Sequence, residues 1–295
     1  MRRPETENPW SLAETTSTKT GNILIVIARV DDILSACDDT AEKGIDRRFL
    51  ELLSKRELAR WTELQHPMRK KEWLAARLLT KYVVNLKYPS LHASGGPSGP
   101  RRLIVEYVTR EDILEGASST FRHVELMAPE ANGAPRVYLF QKDMSQTVSC
   151  SVSHSDGWVT TVFCLGDSVG IDIEKVRFPG DALMNHCFTR YERLWAERSA
   201  DRTRMDLSAQ LCLLWTLKEA AYKGGRTKRA FPWCTEVRVP NVMTHPLSHP
   251  TGMFETPSMT RLELQIFHNE WHTATGYSCL LDPNCVMSVV TLPKG

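Results

Sequence analysis

The chain has almost no net charge: 37 Lys and Arg stand against 35 Asp and Glu over 295 residues, a balance of +2. A protein this neutral has no general electrostatic hold on nucleic acid, so any attraction for anions must come from local clusters. Its 8 cysteines include no C-x-x-C pair and are too sparse for a disulfide scaffold, so reduced, mostly buried thiols are expected. Residues 1–21 are polar, lack the apolar core of a signal peptide and read as a flexible tail. No stretch is long and apolar enough to span a bilayer. Neither a Walker-type glycine loop nor H-E-x-x-H is present, which removes support for nucleotide hydrolases of that type and for zinc proteases. What remains is a soluble, cytoplasmic, globular chain with no membrane or nucleic-acid partner, 42% apolar and 24% charged.

Along the chain, residues 22–28 form a β-branched apolar run and predict a buried strand. Ser54 and Glu57 have capping-box spacing. A helix is expected from Pro67 to about residue 86, with Trp73, Leu74, Arg77, Leu78 and Lys81 at helical spacing. Residues 89–100 read as a loop, and Gly133-Ala134-Pro135 as a turn. Strands are expected near 147–153 and 159–165, then at 169–176. Thr189 and Glu192 repeat the capping-box spacing, and a helix over 208–223 stops at Gly224-Gly225. Residues 240–258, with four prolines (Pro240, Pro246, Pro250 and Pro257), read as a loop, and strands are expected at 261–267 and 285–292. Strand, capped helix, long helix and further strands thus occur twice. The expected architecture is α+β, a pseudo-duplicated two-subdomain fold with a small antiparallel sheet and a long helix in each half. The tail would be 1–21 and the halves 22–167 and 168–295, the second carrying the site.

Two acidic motifs hold the chemistry. In Gly170-Ile171-Asp172-Ile173-Glu174, strand alternation sends both carboxylates to one side and both isoleucines to the other, into a core. In Trp215-Thr216-Leu217-Lys218-Glu219-Ala220-Ala221-Tyr222-Lys223, Glu219 and Lys223 share a helix face with Trp215, while Lys218 points elsewhere. Alone, the first is an ordinary acidic strand and the second an ordinary surface salt bridge. Together they offer three hard oxygen ligands and a lysine, a set that suits Mg²⁺ holding a diphosphate. Ser153-His154-Ser155 lies shortly before the acidic strand; by itself it is a turn with capping hydroxyls.

These residues, in this order, resemble the 4′-phosphopantetheinyl transferases, specifically the longer surfactin-synthetase-activating type. The shared marks are Gly170 to Glu174, Trp215 to Lys223 and Ser153 to Ser155. Looser similarity covers Leu53, Ser54, Glu57, Arg60 and the basic stretch from Arg69 to Arg77. The resemblance implies transfer of the phosphopantetheine arm of coenzyme A to a serine of an acyl- or peptidyl-carrier protein, with release of adenosine 3′,5′-bisphosphate. It implies a pseudo-dimeric α+β fold with coenzyme A between the halves.

By the same resemblance Asp172, Glu174 and Glu219 would bind Mg²⁺, and Lys223 would contact the diphosphate. Glu219, or a water held by the metal, would take the serine proton. Ser153 and His154 would hold the 3′-phosphate, with Arg60 nearby and Trp73 near the adenine. Lys218 is either structural or steers an acidic partner. One departure stands out: the family's G-K-P lysine is Ala134 here, and Arg136 is the candidate replacement. Segment 88–130 and the tail exceed the family pattern. Arg190, Arg193, Arg198, Arg202 and Arg204 offer a basic patch for an acidic carrier, or else an ordinary solvated face. An internal duplication favours a monomer. Two competing readings are another metal-dependent phosphoester enzyme, such as a nuclease, and an inactive coenzyme A-binding homologue.

Overall fold

An apolar run needs cover on both its faces, and residues 23–28 find it. Strand β1 (Ile23–Arg29) lies inside a four-stranded sheet ordered β2-β1-β7-β6, with β2 (Leu103–Tyr107), β6 (Val148–Ser155) and β7 (Trp158–Leu165). Leu24, Val26 and Ala28 enter one apolar cluster, while Ile23, Ile25 and Ile27 enter another. A continuous run, rather than alternation with polar residues, is what double burial requires. The computed structural model describes residues 22–34, 45–87, 102–117, 119–127, 135–145, 148–225, 236–241, 243, 247, 256–267 and 270–293. The expected tail, the 89–100 loop, Gly133, Ala134, Pro246, Pro250, Cys37 and Cys234 lie outside them.

The outer face of this sheet is covered by helices α1 (Val30–Leu34), α2 (Arg47–Glu51), α3 (Lys55–Glu63), α4 (Pro67–Tyr82) and α5 (Arg110–Gly116). Helix α4 starts at its proline as expected, but it ends earlier and continues as a π turn over Val83–Lys87. A three-stranded sheet, β3 (Val124–Met127), β4 (Arg136–Leu139) and β5 (Lys142–Asp143), contributes Val124, Leu126, Val137 and Leu139 to the same core. The four-stranded sheet is mixed, which corrects the expectation of antiparallel pairing: β2 runs parallel to β1. The chain leaves β1, passes through several helices and returns in the same direction, which is the connection parallel strands need. Part of the unexplained segment 88–130 therefore supplies a strand of the sheet.

The second sheet has the order β8-β12-β11-β10-β9, from β8 (Ser168–Lys175), β9 (Glu236–Arg238), β10 (Thr260–Phe267), β11 (Trp271–Asp282) and β12 (Cys285–Leu292). Helices α6 (Asp181–Cys187), α7 (Arg190–Arg202) and α8 (Leu207–Gly225) follow β8 in sequence. Leu213 and Leu217 of α8 join Val286 and Val290 of β12 in a core on one face of this sheet. Its other face meets the first sheet: Val169, Ile171, Ile173, Met287 and Val289 pack with Ile23, Ile25, Ile27 and Val162. The layers therefore run helices, sheet, sheet, helices.

Each half has a buried ion pair under a capped helix. Ser54 and Glu57 form a reciprocal capping box on α3; Glu57 also pairs with Lys81 of α4 at 2.8 Å and accepts from the Leu126 amide at 3.3 Å. Thr189 and Glu192 form the same box on α7; Glu192 pairs with Lys218 of α8 at 2.9 Å and accepts from the Val237 amide at 3.0 Å. The glutamate in each case is both an N-terminal cap and the counter-ion of a buried lysine. The six described cysteines are buried and stand outside any disulfide. Among the described residues no helix is long and apolar enough to cross a membrane.

Candidate active site

Strand β8 turns Val169, Ile171 and Ile173 into the apolar layer between the sheets, so Gly170, Asp172 and Glu174 face helix α8. Gly170 is what lets the helix lie close. A Cβ there would sit 1.9 Å from the Ala220 carbonyl oxygen and 2.5 Å from the Gly224 amide nitrogen. This contact brings the Glu219–Lys223 face of α8 over the two carboxylates. Lys223 Nζ donates to Asp172 Oδ1 at 2.6 Å. The other lysine of the motif, Lys218, turns away from the carboxylates; it is buried and donates to both oxygens of Glu192 at 2.9 Å. Of the two roles left open for Lys218, the structural one is what the fold gives it.

Asp172 is 3% exposed. Its Oδ1 accepts from the Ser153 hydroxyl at 2.9 Å as well as from Lys223, while its Oδ2 is buried with no hydrogen-bond partner. Burial raises its carboxyl above the usual range, against the lowering effect of Lys223. Glu174 is also raised, first by burial and then by Asp172; the Trp215 side chain hydrogen-bonds it, and Ser155 Oγ donates to its Oε2 at 3.5 Å. Glu219 is pushed up to about 7, chiefly by burial and then by the charges of Asp172 and Glu174. The charge of Asp172 thus reaches both glutamates, and that of Glu174 reaches Glu219. Among the described residues, however, no three Asp, Glu, His or Cys side chains as placed enclose a metal-sized space. Lys223 stands on Asp172 in the position of a counter-ion. A divalent cation still fits the donor set: three hard oxygen ligands, one with an orphaned buried oxygen, in a site too acidic for one ammonium to balance.

The first half supplies the opposite wall. Strands β6 and β7 are joined by a two-residue turn, Asp156-Gly157, with φ of 51° and 78°, so His154 lies within strand β6 rather than in the turn. His154 Nδ1 lies 3.1 Å from Glu72 of α4. Burial lowers its pKa, Glu72 opposes this, and the charges of Arg69, Lys223 and Arg77 lower it further. His154 therefore stands beside one carboxylate and three cations, and its burial disfavours the charged imidazolium. Arg77 stacks on Trp73 at 3.8 Å, and its buried Nε has no partner. Burial brings Arg77 down to about 10, and the nearby Arg60 adds to the effect. Arg60 itself is exposed and pairs with Glu63 at 2.7 Å. Sequence reasoning did not single out Glu72 as the imidazole's partner, because only the packing of α4 against the sheet brings them together.

The other expected residues fall as follows. Ser153 is buried and engaged with Asp172. Arg136 is paired with Asp143 at 3.2 Å. On α7 and just beyond it, Arg190, Arg198, Arg202 and Arg204 are exposed, whereas Arg193 bonds the Met184 carbonyl and Asn185.

Residues 168–276 match the family model of the 4′-phosphopantetheinyl transferase superfamily. The matched span opens at the first residue of β8 and contains Asp172, Glu174, Glu219 and Lys223, while His154 and the α4 arginines lie before it. A domain of that superfamily implies transfer of phosphopantetheine from coenzyme A to carrier proteins. No curated protein matches the chain.

Proposed function

We propose that this protein transfers the 4′-phosphopantetheine arm of coenzyme A to a serine of an apo acyl- or peptidyl-carrier protein, with Mg²⁺, releasing adenosine 3′,5′-bisphosphate. The observation that carries this reading is the meeting of Asp172, Glu174, Glu219 and Lys223 on one side with His154 on the other. One wall suits a cation and the other a phosphate, and coenzyme A presents both a diphosphate and a 3′-phosphate.

Asp172, Glu174 and Glu219 would hold Mg²⁺, for which the bare Oδ2 of Asp172 is the clearest opening. When bound, the ion offsets negative charge on the diphosphate. Lys223, with its side chain 29% exposed, stabilises charge on the leaving phosphate. Glu219, or a water held by the metal, would take the proton of the carrier serine. His154, with Arg69 and Arg77 behind it, faces the 3′-phosphate; Arg60 lies beside Arg77, and Trp73 offers a ring toward the adenine. Arg136 is our candidate for the phosphate contact that Ala134 cannot make, since its pair with Asp143 is partly exposed and readily exchanged. The exposed arginines of α7 are the candidate contact for an acidic carrier.

The twin arrangements, Glu57 with Lys81 and Glu192 with Lys218, support a duplicated origin for halves 22–167 and 168–295. They also favour the longer surfactin-synthetase-activating type, working as a monomer because the partner surface is internal. Buried thiols outside any disulfide agree with a reducing compartment such as the cytoplasm.

The test is direct. The protein, Mg²⁺, coenzyme A and an apo carrier are incubated, and the carrier is weighed by mass spectrometry. The arm should appear on the carrier serine and be absent without Mg²⁺ or with Asp172→Ala. No gain in mass with fatty-acid, polyketide and peptide carriers would overturn the proposal.

A further inference from the structure

Strands β6 and β8 lie side by side at the edges of their two sheets, and serine hydroxyls join them. Ser149, Ser151 and Ser153 of β6 accept from the amides of Val169, Ile171 and Ile173 at 3.0, 3.2 and 3.2 Å. Every second residue of β6 thus forms one rung of a side-chain seam between the halves.

The last rung differs from the others. A serine hydroxyl has one proton and two lone pairs. Ser153 Oγ accepts from the Ile173 amide and, at 3.2 Å, from Lys223 Nζ, and it gives its proton to Asp172 Oδ1 at 2.9 Å. Its hydrogen-bonding capacity is therefore used up, with nothing left for a phosphate. The torsion that turns a carboxylate about its own axis is soft, so a strand backbone alone does not fix which oxygen faces the site. Ser153 and Lys223 together tie Oδ1 and leave Oδ2, buried and without a partner, as the free one.

We propose that Ser153 is a positioning residue for the metal ligand Asp172, contributed across the seam by the opposite half, and not a donor to the 3′-phosphate. The inference rests on the transferase reading given above. It assigns to one hydroxyl the coupling between the half that carries His154 and the half that carries the carboxylates. Partners of this kind, behind a ligating carboxylate, typically contribute about 10–100-fold to metal affinity or activity.

The test uses Mn²⁺ as a probe, with equilibrium binding followed by electron paramagnetic resonance on the full chain, alongside transfer kinetics. Ser153→Ala should weaken Mn²⁺ binding by about tenfold or more and raise the KM for Mg²⁺. Ser151→Ala removes the same kind of rung without touching a site carboxylate, and should leave Mn²⁺ binding unchanged. Ser153→Thr keeps the hydroxyl and should recover most of the affinity. Coenzyme A and 3′-dephospho-coenzyme A are then compared as substrates. A positioning role leaves their ratio of kcat/KM unchanged in Ser153→Ala, whereas a phosphate-holding role brings the two substrates closer together. Wild-type Mn²⁺ affinity in Ser153→Ala, equal weakening by Ser151→Ala, no Mn²⁺ binding by the wild type, or loss of the coenzyme preference would each overturn the proposal. Absence of transfer by the wild type to any carrier would instead refute the transferase reading and leave the Mn²⁺ comparison standing.

Discussion

Lys218 and Lys223 occupy one helix and answer to different demands. Lys218 is enclosed with Glu192, whose side chain is fully buried. Replacing it by methionine leaves a buried carboxylate without its counter-ion, a change that costs about 3–5 kcal/mol. Lys218→Met should therefore lower the urea midpoint sharply. Lys223→Met should lower the midpoint less, because the Lys223 side chain is 29% exposed and Asp172 keeps the Ser153 hydroxyl, and it should abolish most transfer; a reversal of those two results would contradict the division of roles. Glu219 gives a second prediction at this scale. Its carboxyl is raised from 4.5 to about 7 in the folded protein, so the folded state holds the proton more tightly than the unfolded one. Its contribution is fully present below 4.5 and is lost as pH rises through about 7. Asp172 and Glu174 are raised as well and act in the same direction. In metal-free protein, the stability gained by Glu219→Gln over the wild type should be small below this window and grow across it. A constant difference at all pH values would show that Glu219 does not titrate there.

At the scale of elements, β8 and α8 form one working unit because Gly170 has no side chain. Gly170→Ala would place a methyl within 1.9 Å of backbone, and backbone cannot turn aside as a flexible side chain can. Overpacking of this kind costs about 1–3 kcal/mol or more. The displaced helix would carry Glu219 and Lys223 away from Asp172, so transfer should fall by a larger factor than stability suggests; wild-type kcat with alanine at this position would refute the argument. Both elements were legible in sequence, since the isoleucine alternation of β8 and the spacing of α8 are local patterns. The capping boxes of α3 and α7 and the bounds of β12 were legible for the same reason. Strand β11 was not. Its polar first half, from Trp271 to Ser278, shows no clean period because it lies between two other strands and supports packing at only some positions. At Gly276 a Cβ would approach the Leu264 side chain to 2.7 Å, so a residue that reads as a break sits packed under the neighbouring strand. The pairing of His154 with Glu72 was equally hidden, because it depends on how α4 crosses the sheet.

For the whole molecule, the question is whether the second half, which contains all three proposed metal-binding carboxylates, can stand alone. The layer between the sheets argues that it cannot. Val169, Ile171, Ile173, Cys279, Leu281, Met287 and Val289 are buried against residues of the first sheet. Cutting the chain at the seam would expose them as one continuous apolar face, and patches of that kind drive aggregation. Polar ties at the far side add to the dependence: Asp282 accepts from Arg29 and from the Trp158 indole, both at 2.8 Å. The segment 168–295 made alone should therefore aggregate or remain loosely packed. In the intact protein the shared core should make unfolding a single transition, with tryptophan fluorescence and far-ultraviolet circular dichroism giving the same midpoint. Two separated midpoints, or a folded fragment 168–295 with the Mn²⁺ affinity of the intact protein, would mean that the halves are independent. The site would then not need its opposite wall to be assembled. Because Ser153 comes from that wall, the fragment should bind Mn²⁺ about tenfold or more weakly than the intact protein, even if solubilising substitutions on the exposed face let it fold.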